Sequence, residues 1–75
     1  MSNVNYSIKK ILEEMIKHQE AKVLKIACEL IPNLTPEDIR NPQDFPKLNN
    51  NINFNYEDGI LTGYLSIKTA LSKLN

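Results

Sequence analysis

One cysteine, one histidine, two glycines and no tryptophan occur among the 75 residues. A single cysteine excludes an intrachain disulfide framework, and it cannot build a cysteine-rich zinc site. An excess of either charge is missing too. Nine Lys+Arg stand against nine Asp+Glu, a formal net charge of zero. The strong positive field of a dedicated nucleic-acid binder is therefore absent, although a local basic patch stays compatible with these numbers. There is no run of 18 apolar residues, and Lys17 to Glu20 interrupts the longest apolar-rich stretch. Neither a membrane span nor a signal peptide is expected. No segment sustains a period-two alternation, so strands are not expected either.

What is present describes one small folded domain. The hydrophobic share of 41% is too high for a chain disordered by low hydrophobicity and high charge. The expectation is a soluble, cytoplasmic domain with room for a single core. A fold this short hides only about 60% of the surface its unfolded chain exposes, so that core alone is marginal.

From Ser7 the pattern turns helical. At 100° per residue, Ile8, Ile11, Leu12, Met15, Ile16, Val23, Ile26, Ala27 and Leu30 fall in one stripe. Gln19 and Lys22 are its only polar members, while Lys10, Glu13, Glu14, Lys17 and Lys25 lie opposite. Ser7 can cap the start, Glu13 and Lys17 suit a surface pair, and Pro32 stops the helix. The reading is one helix over about 7–31, with a bend expected near His18–Glu20.

The middle of the chain is punctuated by Pro32, Pro36, Pro42 and Pro46, followed by Asn49-Asn50-Asn51. Thr35-Pro36-Glu37-Asp38 has a capping residue, a proline at the first helical position and two acids in the first turn. Asn41-Pro42-Gln43-Asp44 repeats that grammar, so one or two short helical turns are expected. Leu34, Ile39, Phe45, Leu48, Ile52 and Phe54 are too many apolar residues for a flexible linker. They imply a connection folded onto the helices, with Phe45, Leu48, Ile52 and Phe54 closing one side.

The last helix is expected over about 55–74, capped by Asn53 or Asn55. Its stripe would be Tyr56, Ile60, Gly63, Tyr64, Ile67, Ala70, Leu71 and Leu74. The fold class is therefore all-α: two main helices joined by a proline-punctuated, partly ordered connection.

Candidate functional features are few. Gly59 and Gly63, continued by Ser66 and Ala70, make a small-residue line suited to close helix packing, either within the chain or between subunits. Leu24, Cys28 and Ile31 form one apolar ridge off the main stripe, and Leu61 with Leu65 forms another. Together they are the candidate interaction surface. His18 lies four residues after Glu14, but the further carboxylates of a metal-binding bundle are missing, so no metal site is expected. Cys28 has no histidine or second cysteine beside it and reads as a small buried hydrophobe. Glu37, Asp38, Asp44, Glu57 and Asp58 sit near helix starts, where they complement the dipole.

No catalytic constellation and no cofactor motif emerges. The leading expectation is a non-enzymatic helical interaction protein: a homo-oligomer, adaptor or regulatory subunit. The alternative is a transcription-related protein contacting phosphate through Lys9, Lys10, Lys17, Lys22 and Lys25, against which the interleaved glutamates weigh. A small enzyme or metal protein would have to gather His18, Glu14 and Asp44 or Asp58. With disulfides excluded and a structural metal not indicated, unusually good packing or association remains to reinforce so small a core, and association would also use the ridges. A homodimer, or a complex with another protein, is the expected assembly.

Overall fold

The computed structural model describes the backbone of residues 2–74 and the side chains of residues 6–74. The chain forms helix α1 (Ser2–Leu30), helix α2 (Pro36–Ile39), a 3-10 turn (Pro42–Asp44), helix α3 (Pro46–Asn49) and helix α4 (Ile52–Ser72). No strand occurs among the described residues. The all-α reading, two long helices and a connection with short helical turns, describes this structure.

Helix α1 begins earlier than its apolar stripe. Ser7 sits inside it and caps nothing, and α1 is unbroken through His18–Glu20. Its far end falls where proline requires. The Ile31 amide still donates to Ala27 O at 2.8 Å, and Pro32 then ends the ladder. The chain reverses at Asn33, whose φ of 70° lies in the left-handed region that asparagine tolerates better than most residues.

The connection follows its proline grammar closely. Thr35 accepts from the Asp38 amide at 3.2 Å, while the Thr35 amide donates to Asp38 Oδ2 at 3.1 Å, a complete capping box on α2. Pro36, Pro42 and Pro46 each begin a short element, where a missing N–H costs nothing. Helix α3 is a third short element, beyond the one or two turns expected. The cap of α4 is Asn51, whose Oδ1 accepts from the Phe54 amide at 2.8 Å. Asn55, an expected cap, lies within the first turns and instead donates to Asn49 O at 3.0 Å.

α1 and α4 pack antiparallel. At one end Ile26 and Leu30 border Asn51 and Asn53, and at the other Lys9 and Leu12 border Lys68 and Leu71. The core holds Leu12, Ile16, Val23, Ala27, Leu34, Ile39, Leu48, Phe54 and Leu61. Phe54, Leu48 and Val23 are its largest fully buried side chains. The connection lies over one end of the hairpin only, and Phe45 packs against the core from it. Ile52, expected in that cover, faces solvent: it is two residues from Phe54, so helical spacing turns it away.

The inward face of α4 differs from the expected stripe by roughly a quarter turn. Phe54 and Leu61, seven residues apart, are buried with Tyr64 and Leu71 partly so, while Tyr56, Ile67, Ala70 and Leu74 are exposed. Apolar residues occupy two faces of α4, and packing chose the one that seats Phe54 beneath the connection.

Leu48→Ala should therefore destabilise the fold by about 2–5 kcal/mol, and Asn51→Ala by about 1 kcal/mol through loss of the cap. Ile52→Ala should cost less than about 0.5 kcal/mol, because that side chain is outside. Chemical denaturation monitored by helical circular dichroism measures all three. Equal losses for Leu48→Ala and Ile52→Ala would refute this packing.

Candidate interaction surface

The two polar members of the α1 stripe converge on one residue of α4. Gln19 is 7% exposed, and its Nε2 donates both to Glu57 O at 2.9 Å and to Glu57 Oε1 at 2.8 Å. Lys22 Nζ lies 3.4 Å from Glu57 Oε2. A buried amide demands partners, and Glu57 supplies a carbonyl and a carboxylate together. The clamp therefore forms only in one register and rotation of α4 against α1, and it reinforces that arrangement. Sequence spacing marks Gln19 and Lys22 as polar intruders in an apolar stripe, yet their shared partner, 38 residues after Gln19, carries no local signal.

Electrostatics follow from this geometry. The hydrogen bond from Gln19 holds the Glu57 carboxyl below its usual range. Burial opposes that shift, and Lys22 adds to it. Asp58 is shifted the other way by burial.

The sequence-nominated ridges divide on inspection. Leu61 is 9% exposed and belongs to the core, whereas Leu65, four residues on, is exposed. Leu65 sits in an open groove among Lys10, Glu14, Lys17 and Lys68. Leu24, Cys28 and Ile31 are partly buried and pack against the core. Cys28 Sγ approaches Leu34 O at 3.5 Å, a weak S–H···O contact beside the chain reversal. Leu24 also lines a cleft of about 150 Å³ with Val23, Pro36, Ile39 and Leu61, between Glu20 and Arg40. That volume is well below an ordinary metabolite pocket and suits a single side chain.

The small-residue line has no close neighbour within the chain. A Cβ built on Gly59 or Gly63 would meet nothing within 4 Å, and Ser66 and Ala70 are exposed beside them. Close packing of this line against α1 is therefore not what the glycines serve. Along the same helix, Thr62, Ser66, Thr69 and Ser72 each donate a hydroxyl to the carbonyl four residues back, at 3.0–3.1 Å. Their donors are thereby used within α4.

Exposed apolar side chains are not scattered evenly. Of the nine large ones among the described residues, seven lie at the end of the hairpin away from the connection. They are Tyr6, Ile8, Ile11 and Met15 on α1, with Leu65, Ile67 and Leu74 on α4. Two helices side by side leave a groove open along each flank, and at this end no third element fills it. Sequence reasoning assigned Ile8, Ile11, Met15, Ile67 and Leu74 to the core and so missed them as surface.

The titratable candidates remain apart from one another. His18 and Glu14 are exposed on α1, and no grouping of three or more metal-ligating side chains occurs among the described residues. Lys9, Lys10, Lys17, Lys22 and Lys25 are spread around α1 by helical spacing, and Lys22 is engaged with Glu57. No described helix is long and apolar enough to cross a membrane. Compared with family profiles, curated proteins and solved structures, the chain matches none.

The lowered Glu57 carboxyl stabilises the fold above its unfolded-state pKa, and that contribution is lost as pH falls through the folded one. Asp58 has the opposite sign: its raised pKa disfavours the ionised fold, and acidification relieves that cost. Glu57→Gln should melt lower than the parent at neutral pH, with the gap closing below about pH 4. Asp58→Asn should melt at or above the parent at neutral pH and converge with it in acid. Thermal melts across this range check both, and a Glu57→Gln chain matching the parent at neutral pH would rule out the clamp as a stabilising contact.

Proposed function

We propose that this chain is a non-enzymatic helical interaction protein, acting in the cytoplasm as a homo-oligomer, an adaptor or a regulatory subunit. The observation that carries the reading is the concentration of exposed apolar side chains at the end of the hairpin that the connection leaves uncovered. Clustered exposed apolar side chains are a recurrent mark of protein–protein contact, whereas single exposed leucines are ordinary. The proportions of the molecule support it. Its radius of gyration is 14.3 Å, against about 11 Å for a compact chain of this length. Two clefts of about 130 and 150 Å³ fit a side chain better than a substrate, and the larger groove of about 460 Å³ around Leu65 holds lysines and glutamates without a histidine or cysteine.

The test is site-specific photo-crosslinking in cells at native expression. A crosslinking residue in place of Ile11 or Ile67 should yield a discrete adduct of reproducible mass. In place of Lys25, on the charged face of α1, it should yield none. Recovery of uncrosslinked chain alone from both apolar positions would overturn the reading.

A further inference from the structure

The open end has two flanks, and they differ in charge. Gln19 and Lys22 both meet Glu57, so the α1 flank they share with Ile8, Ile11 and Met15 lies on the same side as the Glu57 flank of α4. Following α4 along that side leads to Ile67 and Leu74, while Leu71 packs against the core and borders Lys9 and Lys68. Among the described residues of this half, Ile8, Ile11, Met15, Ile67 and Leu74 line this side, while Glu14 and Lys68 line the groove of the other flank. The opposite flank, around Leu65, is ringed by lysines and glutamates.

We infer that the apolar flank docks a second copy of this chain, so that two hairpins close a four-helix bundle about a two-fold axis. This rests on the reading of the chain as an interaction protein and names its partner. A two-fold axis sets a surface against its own image, so every charge near the axis faces its like. An apolar face is spared that cost, whereas a different partner would be selected by complementary charges such as those around Leu65.

The area agrees. The chain exposes 5622 Å², whereas a compact monomer of 8.6 kDa exposes about 4,700 Å². The excess of about 900 Å² comes from the elongated shape of the whole hairpin, and it leaves room for the roughly 800 Å² that one partner contributes to a specific interface. Helix pairs at a shallow crossing angle complete such a bundle, with Ile11 and Ile67, 58% and 50% exposed, as its natural inward positions. Zero net charge removes the long-range repulsion that would otherwise keep two copies apart.

Sedimentation of the purified full chain over about a hundredfold concentration range tests this. The parent should reach roughly twice 8.6 kDa. The double variant Ile11→Glu/Ile67→Glu should weaken association by about a hundredfold. Ile52→Glu, at the covered end, should leave association unchanged. Mixing the double-glutamate chain with Ile11→Lys/Ile67→Lys should restore a heterodimer and its helical signal, even where either variant alone has lost structure.

A parent that stays monomeric overturns the second copy. So does association that survives the double-glutamate change, is abolished equally by Ile52→Glu, or does not return on mixing. A monomeric parent that still crosslinks to another protein through Ile11 or Ile67 would remove the self-docking partner while leaving the interaction reading intact. Absence of any adduct would remove both.

Discussion

Burial of Phe54 beneath the connection is the constraint from which the remaining geometry follows. Phe54 and Leu48 are fully excluded from solvent, and they share a core with Val23 and Ala27 of α1. Hiding a phenylalanine from water stabilises a fold by about 2–3 kcal/mol, a large part of what so short a chain can muster. The connection is prepared for this role. Three prolines fix φ at the start of its three short elements, which reduces the entropy lost when the segment orders. The Asn51 cap then delivers Phe54 into place one turn into α4.

Once Phe54 is inside, the rotation of α4 is set. Leu61 follows it inward two turns later, and Glu57, between them, arrives opposite Gln19. What remains outside is equally determined: Ile52, Tyr56, the two glycines, Ile67 and Leu74. A helix with apolar residues on two faces can hide only one of them behind a single partner helix. The exposed face of α4 is thus a consequence of seating Phe54. The back-bonded hydroxyls of Thr62, Ser66, Thr69 and Ser72 lower the polarity of its outer side further.

The sequence was informative wherever local chemistry decides structure. Thr35-Pro36-Glu37-Asp38 encodes its capping box in four adjacent residues, and Pro32 ends α1 within a residue of the expected place. It was less informative where a choice depends on distant partners. The apolar pattern of α4 admits two faces, and the strongest periodicity belongs to the one that stays outside. Leu61, apparently off the stripe, is core because Phe54 selects its side. Leu24, Cys28 and Ile31 pack against the core, which periodicity along α1 does not reveal. Ile8, Ile11 and Met15 have perfect helical spacing with the core residues of α1. They remain exposed because the connection does not reach that end.

Sealing a hairpin at one end also orders its assembly in time. The chain between α1 and α4 is a loop closed by its own short helices, and once Phe54 has joined Val23, Ala27 and Leu48, the two helices are already held side by side. Each further pair toward the free end then forms across a gap that is already bridged, at little additional loop-closure cost. Structure accordingly zips outward from the connection. Run in reverse, the outermost turns hold the fewest buried groups, so they can part and rejoin many times while the sealed end stays shut. Burial is graded along the described hairpin, from Phe54 and Leu48 at the sealed end to the exposed Ile11 and Ile67 toward the other.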